Sequence, residues 1–234
     1  MIIPEEEKKE MVERYAGRYA EHKYSPATLG WPKGKQDVRF SILTSFCDLM
    51  EKSILDIGCG FGDLNRILAP LGSYEYTGID LVPELLEEGK KRYGAPKVRF
   101  IQGEFLSMNI AEKYDFALAS GIFNRCMKSV DQYGYVEEIL KKALSMCRIG
   151  VAFDFLSDKV DFRNEINWHH SPERILEIAY RHSRNVVLRN DYMPFEFSVC
   201  VFADDSFDRE DTLFRRYKAM FSPEKGAGKG HFIK

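Results

Sequence analysis

The stretch Ser53-Ile-Leu-Asp-Ile-Gly-Cys-Gly-Phe-Gly-Asp63 decides how the rest of this chain is interpreted. It opens with a short apolar run typical of a buried parallel strand, which consists of Ile54, Leu55 and Ile57. Three glycines follow, at Gly58, Gly60 and Gly62, and helix formers then fill 63–69 before Pro70. A strand, a glycine turn and a helix in this order let a ligand lie against bare backbone at a helix N-terminus.

Asp80 is a second signal for the same kind of ligand. It ends the apolar run 74–79 and lies about 20 residues beyond the glycines, where a carboxylate can accept hydrogen bonds from two ribose hydroxyls. The dinucleotide fingerprint reads G-x-G-x-x-G, whereas this turn reads G-x-G-x-G and has Asp63 where the last glycine would stand. The spacing therefore favours a nucleotide-like ligand without a pyrophosphate.

The segment Leu55-Asp-Ile-Gly-Cys-Gly-Phe-Gly62, followed by Gly78-Ile-Asp80, resembles the first two motifs of class I S-adenosylmethionine (SAM)-dependent methyltransferases. The resemblance extends over about residues 35–203, and its most specific part is 53–124. It implies that SAM is the cofactor. The cofactor-binding residues that it implies in this region are Asp56, Gly58, Cys59, Gly60, Gly62, Asp80 and Leu81.

Further positions match the family after the third and fourth predicted strands. Methyltransferases of this class place an acid after the third strand, where it takes the adenine amino group and the next backbone N–H reaches the ring. Here the matching residues are Gly103, Glu104 and Phe105, although Asp is the commoner acid. Ser120 and Gly121 follow the fourth strand and are expected to face the transferable methyl group.

Basic residues near the start of the domain are candidates for holding a carboxylate. Arg39 is a candidate clamp for the carboxylate of SAM. Lys33 and Lys35 lie in an irregular loop rich in Pro, Gly and Trp, and they either hold an acidic substrate or the SAM carboxylate or belong to a solvated linker.

The order of predicted elements gives the fold. Five strand–helix units precede a hairpin-like pair of strands at 184–189 and 196–203. With the resemblance, this order implies an α/β fold: a Rossmann-like, seven-stranded, mostly parallel sheet whose last strand is antiparallel, with helices on both faces. We expect three regions, which are an N-terminal helix and loop (1–36), the SAM-binding domain (37–205), and a C-terminal helix with a flexible tail (206–234).

Several helices are predicted with specific features. Residues 5–22 place Met11, Val12, Tyr15 and Tyr19 on one face, either packed on the edge of the domain or forming a lid over the substrate. Asp37 is expected to cap a helix that runs to about residue 50 and packs through Val38, Ile42, Phe46 and Leu49. One more helix is predicted over 207–221.

Two adjacent histidines are the candidate general bases. A hydroxyl acceptor needs a base, and His169 or His170, in the irregular stretch 164–172, can titrate near neutral pH. A lone histidine is more often structural or exposed than catalytic, and Asp154 and Tyr133 are weaker candidates. No metal site is predicted, because no His, Cys and carboxylate cluster has convincing ligand spacing.

Composition limits the choice of partners and compartment. The formal charge is −2, and no run of residues is long and apolar enough to span a membrane, so neither nucleic acid nor membrane is an expected partner. Segment 120–124 also lacks the Asn-Pro-Pro-Tyr type of motif found in methyltransferases that act on nucleic-acid bases. Five cysteines without a Cys-x-x-Cys pair, and the absence of a signal peptide, favour a cytoplasmic protein with reduced thiols.

The function predicted from these features is SAM-dependent transfer of a methyl group to a small-molecule acceptor by in-line displacement. The alternatives are an NAD-dependent oxidoreductase, a SAM-binding module without turnover, and a methyltransferase that acts on protein or RNA. The acceptor and the oligomeric state stay open.

Overall fold

The computed structural model describes residues 3–31, 34–163 and 165–221 of the 234-residue chain. Its strands are β1 Ser53–Ile57, β2 Glu75–Asp80, β3 Val98–Gln102, β4 Tyr114–Ala119, β5 Cys147–Leu156, β6 Val186–Arg189 and β7 Glu196–Phe202. Its helices are α1 Glu5–His22, α2 Gln36–Thr44, α3 Asn65–Leu68, α4 Pro83–Tyr93, α5 Gln132–Met146, α6 Pro172–His182 and α7 Arg215–Phe221. Lys33 and the predicted tail beyond 221 lie outside the described residues.

One seven-stranded sheet has the order β3-β2-β1-β4-β5-β7-β6. β1 pairs in parallel with β2 and β4, whereas β7 is antiparallel to both β5 and β6. The predicted fold class is therefore confirmed. The strand order reverses between β1 and β4, and in open α/β sheets ligands bind beyond the carboxyl ends of the strands at such a switch point.

Both faces of the sheet are covered by helices. Side chains of β4 alternate between the faces, so that Phe116 and Leu118 pack with α2 while Ala117 and Ala119 pack with α5. Phe116 and Ala117 are both fully buried. Two apolar layers thus hold the central strands, and the ends of these strands are fixed in position.

Helix α2 differs from its prediction in length and in orientation. It ends at Thr44, because the hydroxyls of Thr44 and Ser45 donate to backbone carbonyls of the preceding turn and compete with its continuation. Asp37 does not cap the helix but pairs with Arg66, Nη2 to Oδ1, at 2.8 Å. Val38 is exposed, since the buried face is formed by Gln36, Arg39, Phe40 and Leu43.

The C-terminal helix is also shorter than predicted. Only Arg215–Phe221 of the predicted C-terminal helix is helical. The preceding residues form a turn, because the carboxylates of Asp208 and Asp211 accept hydrogen bonds from backbone N–H groups two residues further on.

Within the described ranges, no helix is both long and apolar enough to cross a membrane.

Candidate active site

A cavity of about 390 Å³ lies at the carboxyl ends of β1, β2 and β4. We call its strand-end side the floor. The floor consists of Asp56, Gly58, Cys59, Gly60, Asp80, Leu81, Gly103, Glu104, Phe105, Ser120 and Gly121. We call the opposite side the roof, and it consists of Met11, Arg14, Tyr15 and Arg18 of α1 with Leu29, Gly30 and Trp31. The structure thus brings together all but two of the candidate cofactor residues, Gly62 and Arg39.

Two glycines of the turn adopt positive φ and pack against different neighbours. Gly58 lies on the cavity with φ +71°, and a Cβ there would stand 2.2 Å from the Ile122 side chain. Gly62 has φ +75° but does not line the cavity, and a Cβ there would stand 2.5 Å from the Phe100 ring. Gly58 therefore lets Ile122 pack against the turn where both line the cavity, whereas Gly62 lets the turn pack against β3.

Asp80 is held rigidly at the end of β2. Its Oδ2 accepts from the N–H of Gly60 at 2.8 Å, and its Oδ1 accepts from the N–H of Val82 at 2.9 Å. Burial raises the pKa of Asp80, while these backbone donors lower it. Because a carboxylate oxygen can accept more than one hydrogen bond, both oxygens keep acceptor capacity for ligand hydroxyls.

Asp56 is a second carboxylate of the floor. It is buried at the end of β1, and its Oδ2 accepts a hydrogen bond from the Tyr76 hydroxyl at 2.8 Å. Burial raises the pKa of Asp56 to about 7, and the Tyr76 hydroxyl opposes this shift. A cation bound in the cavity would favour the ionised form of this group.

Glu104 has partners that the sequence did not predict. Its Oε1 accepts from the backbone N–H of Ile3 at 2.8 Å, and its Oε2 lies 2.9 Å from Lys8 Nζ and accepts from the Ser107 hydroxyl. The carboxylate that the resemblance assigned to adenine therefore also fastens the N-terminal segment to the floor.

The turn after β4 is fixed by Asp154 of β5. One carboxylate oxygen of Asp154 accepts from the Ser120 hydroxyl, and the other accepts from the N–H of Gly121 at 2.7 Å. Burial raises the pKa of Asp154 to about 6. Asp154 does not line the cavity, and its two hydrogen bonds hold the two floor residues in position.

Arg39 is not placed as a carboxylate clamp. Its guanidinium makes a two-point ion pair with Glu196 of β7, and it stacks 3.8 Å from the centre of the Trp31 ring. The Trp31 ring in turn packs against the backbone of Gly121. Arg39 therefore supports one wall of the cavity from behind, and its charge is already balanced.

The structure places both candidate catalytic histidines outside the cavity lining. His170 is fully buried among aromatic rings, its Nε2 bonds to the carbonyl of Phe123 at 3.1 Å, and burial lowers its pKa to about 4. His169 Nδ1 bonds to the carbonyl of Ser157 at 2.8 Å. Tyr133, a weaker candidate, accepts from the N–H of Ser171 and also lies off the cavity.

Three arginines of the cavity lining were missed by sequence reasoning. Arg14 and Arg18 lie on the same face of α1 as Met11 and Tyr15, and Arg125 follows β4. The sequence offered a signal for two of them, because Arg14 and Arg18 are four residues apart and fall on the helix face that carries Met11 and Tyr15. Among the described residues, no group of three or more His, Cys, Asp or Glu side chains is arranged to hold a metal ion.

Comparison with known proteins identifies the family. The sequence model of the methyltransferase domain matches residues 54–143. A protein of Mycobacterium tuberculosis that carries the name methyltransferase is 32% identical over 157 residues, which are 64% of this chain and 92% of that protein. The chain belongs to the class I SAM-dependent methyltransferases. The cofactor of this methyltransferase is SAM, and the oxidoreductase alternative is set aside.

Solved structures agree with the fold of the methyltransferase. Magnesium protoporphyrin IX methyltransferase of Synechocystis PCC 6803, with bound S-adenosylhomocysteine (SAH), has a TM-score of 0.58 at 15% identity and covers 81% of this chain and 93% of its own. Human N-acetylserotonin methyltransferase with SAM has a TM-score of 0.60 at 17% identity and covers 85% of this chain and 60% of its own.

The floor of the methyltransferase fits its cofactor. Gly58 and Gly60 line the cavity with backbone only. Asp80 offers fixed acceptors, as ribose hydroxyls require, and Asp56 and Asp80 offer negative charge for the two cationic centres of SAM.

Proposed function

We propose that this methyltransferase transfers the methyl group of SAM to a small-molecule acceptor inside the cavity. The observation that carries the proposal is the roof, because α1 and residues 29–31 cover the strand ends on which the cofactor would lie. A roofed space of about 390 Å³ is suited to a compact acceptor. A polypeptide or RNA acceptor would need an open groove at the same place.

The names of the two structural neighbours support the same substrate class. One is named for magnesium protoporphyrin IX and the other for N-acetylserotonin, and both are small molecules.

When bound, SAM supplies an electrophilic methyl group on a sulfonium centre. We assign its ribose to the carboxylate of Asp80 and its methionine part to the backbone of Gly58 and Gly60. Glu104 and Phe105 would flank the adenine, with Ser120 and Gly121 beside the acceptor. The roof, including α1, would act as the lid that excludes water.

The proposal gives no residue of the lining the role of general base. Among the described residues, no histidine lines the cavity. The carboxylates of the lining already have partners, since Asp56 accepts from Tyr76, Asp80 accepts from two backbone N–H groups, and Glu104 is held by Ile3 and Lys8. Burial raises the pKa of the Tyr15 and Tyr135 phenols, so neither ionises near neutral pH. We therefore propose that the acceptor atom arrives already deprotonated, and that the protein accelerates the reaction by alignment and by exclusion of water.

The test uses SAM with a tritiated methyl group and a cell extract divided by ultrafiltration into small molecules and macromolecules. We expect label in the small-molecule fraction, and no label above background with the Asp80→Ala variant. Label confined to the macromolecular fraction would overturn the proposal in favour of a protein or RNA acceptor. No label in either fraction, despite measurable SAM binding, would overturn it in favour of a binding module.

A further inference from the structure

Three guanidinium groups line the cavity. Arg14 and Arg18 are one helical turn apart on α1, and Arg125 reaches the cavity from the loop after β4. Burial and the charge of Asp80 raise the pKa of Tyr15. The charges of Arg18, Arg14 and Arg125 lower it, so all three guanidinium groups lie near the Tyr15 hydroxyl. The three positive charges therefore converge on one part of the cavity, next to the roof.

Among the described residues, the floor carboxylates make no ion pair with these arginines. Asp56, Asp80 and Glu104 are held by the other donors described above. Arg14 and Arg18 are partly exposed, and the Arg18 guanidinium lies 5.9 Å from the centre of the Tyr15 ring. Since an arginine keeps its charge, both guanidinium groups can donate to an anion that enters the cavity.

Arg125 gives the most direct sign of a missing acceptor. Its Nη2 makes one long contact, 3.5 Å, with Glu10 of α1. Its Nη1 is buried and has no hydrogen-bond acceptor among the described residues. Buried donors in folded proteins are nearly always satisfied, so an acceptor is expected to come from a bound molecule.

The cofactor by itself does not balance this charge. SAM carries one carboxylate and two cationic centres, the ammonium and the sulfonium, so it adds net positive charge to the cavity. Even if its carboxylate paired with one guanidinium and Glu10 with another, at least one of the three would stay without a counter-charge. The remaining positive charge favours a second ligand that is anionic.

We infer that the acceptor substrate is an organic anion whose carboxylate or phosphate-type oxyanion is bound by Arg14, Arg18 and Arg125. This inference rests on the proposed function. Arginine forks match such oxyanions with paired hydrogen bonds. The body of the substrate is apolar, because Met11, Ile122 and Ile166 line the cavity beside the arginines.

The test is calorimetric titration of the full chain saturated with SAH. The probes are benzoate, phenyl phosphate and neutral benzamide, which share an aromatic body and differ in the head group. We expect the better of the two anions to bind about tenfold more tightly than benzamide, the factor that one charge-assisted hydrogen bond supplies. Whether benzoate or phenyl phosphate is the better ligand distinguishes a carboxylate from a phosphate-type substrate.

Variants then assign the effect to the arginines. Arg14→Met, Arg18→Met and Arg125→Met should each remove most of the preference for the anion and leave SAH affinity within about twofold. Arg209→Met is the matched control, since Arg209 is exposed and does not line the cavity but its loss changes the net charge equally. The corresponding Arg→Lys variants should retain part of the preference, because they keep the charge.

Two outcomes would overturn the inference. The first is equal binding of the anions and benzamide to the wild-type protein. The second is loss of SAH affinity in the three variants with unchanged affinity for methylthioadenosine, which lacks the amino-acid part, because the arginines would then hold the carboxylate of the cofactor. Failure of the wild-type protein to bind SAH at all would instead count against the proposed function.

Discussion

The floor and the roof of the cavity are held in place by different kinds of contact. Floor residues follow paired strands and are tied by backbone hydrogen bonds, such as Gly58 N–H to the Ile79 carbonyl at 2.8 Å and Gly103 N–H to the Asp80 carbonyl at 2.9 Å. Helix α1 of the roof has no fully buried residue. It is attached largely through side chains, including the Tyr19 hydroxyl, which donates to Glu88 at 3.0 Å.

Because of this difference, cofactor binding depends on the floor and access to the cavity depends on the roof. The floor cannot move without disturbing the central strands. Helix α1 is held by side-chain contacts, which include the packing of Tyr19 on Phe61. It can therefore leave the floor without breaking strand pairing, at a lower cost in free energy than global unfolding. We therefore expect changes in the floor to act on cofactor affinity or global stability, and changes in the roof to act on opening.

Asp80→Ala should give the largest change in binding. Removing the carboxylate takes away acceptors for the ribose and for the N–H groups of Gly60 and Val82. We expect SAH affinity to fall roughly 10- to 100-fold, the effect of losing one hydrogen bond to a charged group. Calorimetry measures the affinity, and Asp80→Asn should show a smaller loss. Affinity equal to that of the wild type would show that Asp80 does not bind the ribose.

Gly62→Ala should reduce stability rather than affinity. The added Cβ would meet the Phe100 ring at 2.5 Å at a positive φ, and overpacking of this kind costs about 1 to 3 kcal/mol. Denaturant unfolding measures the loss, and SAH affinity of the folded variant should change less than twofold. Since the overlap is with the ring, Gly62→Ala should cost less in a Phe100→Leu background. An equal cost in both backgrounds would show that overlap with the ring is not the cause.

Lys8→Met should make the roof open more often. The substitution removes the cation that lies 2.9 Å from the buried Glu104 carboxylate. We expect protease cleavage within α1 to become several-fold faster under native conditions, because cleavage follows the open population. Lys9→Met is the matched control, since Lys9 is exposed on the same helix and has only a 3.9 Å contact with Glu13. Equal cleavage rates for the two variants would mean that the Glu104 pair does not hold the roof.

His170→Phe should have the smallest effect on function. His170 lies off the cavity, so methyl transfer should stay near the wild-type rate, while loss of the bond to Phe123 costs about 1 kcal/mol of stability. Initial rates with the acceptor from the fractionation experiment provide the measurement. A large fall in turnover with unchanged SAH affinity would restore this histidine as a catalytic candidate.

The same variant has a distinct pH signature. Burial lowers the pKa of His170 from 6.5 to about 4 in the folded protein, so in this range the unfolded chain binds a proton that the folded chain does not. Acidification from pH 6.5 to 4 therefore favours unfolding through this residue. His170→Phe should lose less stability over this range than the wild type, as measured by urea unfolding at each pH. Parallel pH profiles for the two proteins would contradict the burial of a neutral ring.

Local patterns predicted the sheet well and the side-chain partners poorly. The glycine turn with Asp80, and the five strand–helix units, led to the correct fold class because each signal lies within one short stretch. The sequence of 164–172 gives no sign that His170 turns into an aromatic core, outside the cavity lining. The face of α2 was misjudged, because the ion pair that buries Arg39 joins it to Glu196, 157 residues away.

The sequence by itself determined the fold, the family and the position of the floor. Parallel strands bring their carboxyl ends to one edge, so residues that follow apolar runs meet there whatever the rest of the chain does. Only the tertiary structure decided that Lys8 would meet Glu104 and that Arg14, Arg18 and Arg125 would face one cavity. The physical reason is that these meetings depend on how α1 docks across the sheet. Its docking is set by contacts between distant segments, which no local periodicity records.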